Sequence, residues 1–230
     1  RSGVAVRRVV VDASGQARAL LLRDLATGDE WEHSARVIVL AAGAVETIRL
    51  LLLSADDRHP DGLGNAGGQV GRRLGYHHIR HALLRYPQPV YPGRVGAPTG
   101  ESHQFINHDQ RGTYGGVKIE FTETAPRPGI ADATFDALDN MAAASEFFTR
   151  TRWLWLHAES DMTERKYAAL GSALDPLGDR VPAVHHEASA FDRATYDFAR
   201  QLTGRMADAS GAESWWMEPF ETWTSWSHHM

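Results

Sequence analysis

Cysteine is absent from all 230 residues. That excludes disulfides, thiolate-bound metal and a cysteine nucleophile, and it removes the usual clue to redox compartment. Long apolar runs are missing as well. The longest, Val37–Ala42 and Leu50–Leu53, fall far short of the roughly 20 residues that an α-helix needs to cross a bilayer, so no membrane segment is expected. Positive charge is in deficit, with a formal net charge of −5 and no basic stripe interleaved with aromatics, and no nucleic-acid partner is expected. There is no internal repeat, no nucleophile-elbow sequence of the serine hydrolases and no signal-like opening. The chain starts at Arg1 on a strand-like run and stops at Met230 directly after Ser227-His228-His229. The expectation is that both ends are cuts through a larger protein.

What is present is an ordinary globular composition, 43% hydrophobic and 23% charged, enough for one large domain or two small ones. Val4–Asp12 and Ala17–Asp24 read as β-strands bounded by the turn clusters Asp12-Ala13-Ser14-Gly15 and Thr27-Gly28-Asp29, with a third strand over Glu30–Ala35. Arg36–Leu40 is a continuous apolar run of the kind found in a strand buried on both faces. Ala41-Ala42-Gly43-Ala44 follows, then a helical stretch over Val45–Ser54. A strand, a small-residue turn and a helix in that order form the geometry of a nucleotide-binding crossover.

Asp56–Gly71 reads as an ordered surface loop. Further strands are expected over His81–Tyr86, His103–Ile106, Val117–Thr122 and Trp153–His157, and helices over Thr134–Arg150 and Asp192–Ala207, the second capped by Ser189 or Asp192. The fold class expected is α/β, or α+β overall. Residues 1–80 would be part of a Rossmann-like domain, 81–225 an antiparallel-sheet substrate domain with helices, and 226–230 the start of a further segment.

Gly62-Leu63-Gly64-Asn65-Ala66-Gly67 fits the dinucleotide pattern G-x-G-x-x-G, but no buried strand precedes it and no helix follows. It cannot place a pyrophosphate on a helix N-terminus and is read as a loop. His77, His78 and His81, and separately His185 and His186, invite a metal centre or a metal-dependent hydrolase. Zinc needs three or four converging ligands, and on an extended segment neighbouring histidines point to opposite sides. No metal site is expected.

Two longer stretches carry a more specific signal. Ala35–Ser54, with its core Val37-Ile38-Val39-Leu40-Ala41-Ala42-Gly43-Ala44 and Glu46-Thr47-Ile48-Arg49-Leu50-Leu51, resembles a pattern of the glucose–methanol–choline family of flavin-dependent oxidoreductases. Ile48 stands where that family usually has proline. Gly62-Leu63-Gly64-Asn65 followed by Gly68-Gln69-Val70-Gly71-Arg72-Arg73-Leu74 and His77 resembles the family's next conserved-order segment, with Tyr76 where an aspartate is common. The resemblance implies FAD, oxidation of a primary or secondary alcohol, sugar or polyol to a carbonyl, and hydride passing to flavin N5. Small residues at Ala41, Ala42 and Gly43 would let the backbone lie against a flat ring system, Glu46 sits favourably in the first helical turn, and Val6 matches a strand valine whose backbone faces the adenine. Ser227-His228-His229-Met230 resembles the start of the family's active-site segment, with His228 at the catalytic base position and His229 as its neighbouring alternative. A neutral imidazole near pH 7 suits removal of a hydroxyl proton. The aromatic run Trp215, Trp216, Phe220, Trp223 and Trp226 reads either as an active-site wall or as core. The electron acceptor is unassigned. The rival reading is a non-enzymatic α/β module that binds carbohydrate or protein.

Overall fold

β1 (Val4–Val11), β2 (Ala17–Asp24) and β3 (Glu30–Ser34) form an antiparallel meander in that order. The first turn is held by Asp12, whose Oδ1 accepts from the backbone N–H of Ser14 at 2.8 Å and of Gln16 at 3.0 Å. The computed structural model describes residues 2–92, 100–122 and 146–221. After the meander come α1 (Ala44–Leu53), β4 (His77–Arg85), β5 (Gly100–Phe105), β6 (Val117–Thr122), β7 (Thr151–Glu159), β8 (Tyr167–Leu174), β9 (Arg180–His185), α2 (Ala190–Ser210) and β10 (Ser214–Met217). The named ladders are all antiparallel, and the fold is α+β.

The described residues divide into two compact units. The first contains residues 2–75 and 162–187: the meander, α1, the long loop after it and the hairpin β8–β9. α1 packs on β1, β8 and β9, and Ser54 at its end bonds both ways, donating to Leu50 O at 2.6 Å and accepting from Val9 N at 2.8 Å. In β1 the pairing slips between Val6 and Arg8. Side chains of adjacent strand residues normally leave on opposite faces. The extra residue at Arg7 breaks that alternation, and both guanidiniums reach Asp179 beyond β8, Arg7 at 2.6 Å and Arg8 at 3.1 Å.

The loop after α1 is ordered by its own polar groups. Asn65 donates to Asp61 O at 2.8 Å and accepts from Val70 N at 2.9 Å, and Leu63 N donates to Leu51 O at 3.0 Å. No helix follows Gly62–Gly67, in agreement with reading that stretch as a loop.

The expectation of a buried strand at Arg36–Leu40 fails. No strand is assigned there, and Val37 and Val39 are 72% and 79% exposed. A strand is stabilised by ladder partners and by cover on its faces, and no described strand lies alongside. α1 shows a related mismatch. Its sequence, AVETIRLLLL, is apolar around most of its circumference, yet none of its residues is buried. Helices of that composition ordinarily sit inside a core.

The second unit contains, among the described residues, 76–92, 100–122, 146–161 and 188–221. Its sheet has the order β10-β4-β7-β6-β5. One face packs on α2, and the core there joins Ala82, Leu84, Val117, Ile119, Leu154 and Leu156 to Ala199, Leu202 and Ala207. Fully burying each of the larger side chains contributes about 2 kcal/mol. α2 begins with a reciprocal cap in which Ser189 accepts from Asp192 N at 3.1 Å and Asp192 accepts from Ser189 N at 2.8 Å. Both residues named as alternatives from sequence therefore take part. Residues 146–149 are helical, and the rest of the helix expected over Thr134–Arg150 lies outside the described residues.

Candidate functional site

In the first unit, an open cleft of about 220 Å³ is lined by Ala5 and Val6 of β1, Glu46, Arg49, Leu50 and Leu53 of α1, and Asp175, Leu177 and Asp179 from the β8–β9 turn. Two residues singled out from sequence for a cofactor, Val6 and Glu46, thus share one cavity. Val6 is half-exposed at 45%. The cleft has room for a single ring system, well short of a whole dinucleotide.

Ala41, Ala42 and Gly43 lie exposed on the approach to α1. Gly43 is the N-cap, with φ 84° and ψ 163°, and no side chain caps the first turn. A Cβ at this position would meet nothing within 4 Å. The helix start therefore combines uncapped N–H groups, the positive end of the helix dipole and open space above a glycine backbone. That is the donor set and clearance required by an anionic or flat group. By these observations the residues present fit part of a dinucleotide.

Charge in the cleft is tightly organised. Arg49 bonds Asp175 at 2.5 Å and Glu46 at 3.3 Å. The hydrogen bond from Arg49 holds the Asp175 carboxyl below the usual aspartate range. Arg7 does the same for Asp179, helped by Arg8 and outweighing the opposing effect of burial. A carboxyl lowered on folding adds stability above its unfolded pKa and loses it as pH falls through the folded value. The first unit is therefore expected to weaken below about pH 4. Asp179→Asn should cost about 2 kcal/mol at neutral pH, since it leaves Arg7 and Arg8 without their shared partner. It should also flatten part of the acid dependence, as read from urea midpoints at pH 7 and pH 3.5. Equal midpoints for variant and parent at pH 7 would show that this network contributes nothing.

In the second unit, the sheet face turned away from α2 carries the alternate residues of each strand. His77 of β4 meets His157 of β7 with ring centroids 5.0 Å apart. His157 Nε2 lies 3.3 Å from Glu120, which also bonds Lys118 at 2.5 Å. Burial pushes the Glu120 carboxyl up, but the hydrogen bond from Lys118 and the nearby His157 prevail, so it lies below its ordinary value. His81 bonds Glu218, and its ring stands edge-on to Trp155 at 5.5 Å. His78 points to the other side, 3.7 Å from Asp192. The three histidines of β4 do not converge. In the first unit His185 stacks on Tyr167 at 4.3 Å.

His228 and His229, the candidate bases, and Trp223 and Trp226 lie outside the described residues. Of the two described tryptophans in that aromatic run, Trp215 packs against the core and Trp216 is 45% exposed. The sequence reading missed the His81–Glu218 pair. These residues are 137 positions apart, and no spacing rule joins them.

Comparison with known proteins places these features in context. No family model matches the chain. Over 112 residues, 46% of this chain and 20% of the relative, it is 39% identical to the 2-methyl-1,2-propanediol dehydrogenase of Mycolicibacterium austroafricanum. Over 219 residues, 92% of this chain and 40% of the relative, it is 26% identical to the fructose dehydrogenase large subunit of Gluconobacter japonicus. Over 74 residues, 32% of this chain and 14% of the relative, it is 40% identical to the 6'''-hydroxyparomomycin C oxidase of Streptomyces lividus. The chain spans less than half the length of each. The chain is thus similar to proteins whose names describe oxidoreductases, two dehydrogenases and an oxidase.

Proposed function

We propose that this chain is part of an FAD-dependent oxidoreductase of glucose–methanol–choline type that oxidises a CH–OH group of an alcohol or sugar to a carbonyl. The observation that carries the reading is the open glycine at the start of α1, next to a cleft that joins Val6 and Glu46. The named relatives support the reaction class. The exposed Val37 and Val39 and the only half-buried apolar helix α1 favour a unit with further layers over one that is self-contained, and so weigh against the freestanding binding module.

In this reading the backbone at Ala41–Gly43 and the first turn of α1 hold part of the dinucleotide, with Val6 against its adenine. Bound flavin would supply the two-electron acceptor. The protein's own contribution to the chemistry is the imidazole of His228, with His229 as the alternative, which takes the hydroxyl proton. The small residues at 41–43 keep bulk away from the ring system.

The test is the intact polypeptide that carries this chain. Purified, it is expected to be yellow, and an alcohol or sugar substrate should bleach it without oxygen. Gly43→Val fills the open space and forces a branched residue into a positive-φ position. It is expected to lower flavin occupancy about tenfold, a change of about 1.4 kcal/mol. A colourless protein that takes up no added FAD would end the flavin reading.

A further inference from the structure

The turn of the β8–β9 hairpin is tied to both sides of the cleft in the first unit. On the α1 side, Arg49 donates to Asp175 Oδ2 at 2.5 Å and, through Nε, to Arg180 O at 2.8 Å. On the β1 side, Asp179 accepts from Arg7 at 2.6 Å and from Arg8 at 3.1 Å. The turn is also held from within. Asp175 Oδ1 accepts from the backbone N–H groups of Leu177 at 2.8 Å and Asp179 at 2.9 Å, the arrangement of an Asx turn. Asp175 N donates to Asp179 O at 2.8 Å, and Gly178, with φ +82°, lets the chain reverse. Between the two tethers stands Leu177, which lines the cleft with Val6, Leu50 and Leu53.

The two oxygens of Asp175 therefore do separate jobs. Oδ1 shapes the turn, and Oδ2 holds the turn against α1. That tether is a charge-assisted hydrogen bond between side chains only 16% and 18% exposed, so solvent and salt screen it little. One tether alone would let the turn swing about it. Two fix Leu177 as part of the cleft wall. The charged groups of the lining engage one another, Glu46 and Asp175 with Arg49, and Asp179 with Arg7 and Arg8 beyond it. The cleft thus offers a ligand mainly its apolar lining, to which Leu177 belongs.

We propose that the Asp175–Asp179 turn is a clasp on this cleft, with Leu177 as a binding residue against the flat group held there and Asp175 as the positioning residue that keeps Leu177 in place. The inference rests on the reading above for what the cleft holds, but not for the clasp.

The test exploits the absence of cysteine from this chain. Leu177→Cys, introduced into the intact polypeptide, supplies a thiol whose alkylation by iodoacetamide, followed at that position by mass spectrometry, reports the clasp. Ala19→Cys, at a fully buried site on β2, reports opening of the unit as a whole. Asp175→Asn keeps an oxygen for the turn, removes the charge of the tether, and leaves Arg49 its bonds to Glu46 and Arg180 O. In the Leu177→Cys background it is expected to speed alkylation about tenfold, and in the Ala19→Cys background to change nothing. Arg49→Gln should act about as strongly at position 177, and the double variant no more strongly than either single one. Bound FAD should slow alkylation at position 177 about tenfold. Equal acceleration at both positions, none at position 177, or full additivity in the double variant overturns the clasp. FAD that binds without slowing alkylation there overturns the role of Leu177. Should Asp175→Asn not fold, Arg49→Gln decides. The flavin reading fails separately. A colourless protein with the expected alkylation rates would sink the cofactor assignment and keep the clasp, whereas a yellow protein with equal acceleration at both positions would do the reverse.

Discussion

His228→Ala in the intact polypeptide is expected to leave the flavin bound and to slow substrate-dependent bleaching by about 10²- to 10⁴-fold, the usual contribution of a positioned general base. The oxidation requires the hydroxyl proton to leave as the carbon gives up its hydrogen, and an imidazole can take it only in its neutral form. The parent's rate should therefore rise with pH through the range in which histidine loses its charge. The variant's profile should be flat there. His229→Ala is the necessary companion. If it causes the loss and His228→Ala does not, the base moves one position along the chain. If both variants bleach at the parent rate, neither histidine is the base, and the resemblance at residues 227–230 carries no catalytic meaning.

Gly71→Ala is expected to destabilise the first unit by about 3 kcal/mol, through two costs that add. Gly71 has φ +87°, a conformation that costs an L-residue of order 1–3 kcal/mol. A Cβ there would also stand 2.1 Å from the carbonyl oxygen of Ala168 and 3.1 Å from the Ile48 side chain, an overlap of the kind that costs another 1–3 kcal/mol or so. The carbonyl cannot withdraw cheaply, because Ala168 N donates to Gly71 O at 2.9 Å and Leu74 N donates to Lys166 O at 2.8 Å on the same stretch. Urea denaturation followed by far-ultraviolet circular dichroism measures the loss. A cost under about 1 kcal/mol would mean that the loop shifts away from β8 freely. The same contact gives a structural reason for one glycine of the Gly68–Leu74 stretch, whatever else that stretch does.

Much of the architecture could be read from the sequence because its signals are local. β1 follows from a β-branched run and β2 from a leucine run, each closed by a turn cluster, Asp12–Gly15 and Thr27–Asp29, and α2 from its Ser189–Asp192 cap. Arg36–Leu40 misled because an apolar run records what a segment would bury, not whether a partner is there to bury it. The hairpin β8–β9 went unread. Its strands carry Gly171 and Pro182 and show no clean alternation, and what anchors it is the pair Asp175 and Asp179 meeting arginines more than 120 positions away. The candidate site divides the same way. Gly43 and Glu46 could be named from local pattern and Val6 from the family resemblance, and the structure puts Val6 and Glu46 in one cleft. His81 was weighed only as a metal ligand, because Glu218 reaches it through the β4–β10 pairing, which no linear pattern encodes.

The first unit is discontinuous in sequence. Its meander and α1 precede residue 76, but the hairpin that packs on them ends only at residue 187. During synthesis, the leucines of α1 and the paired guanidiniums of β1 must wait for that hairpin on the order of ten seconds at ordinary translation rates. Through this interval the leucines of α1 lack their cover from the hairpin, and Arg8 lacks Asp179. Slowing translation between residues 76 and 161 should lower the soluble yield more than the same slowing after residue 187.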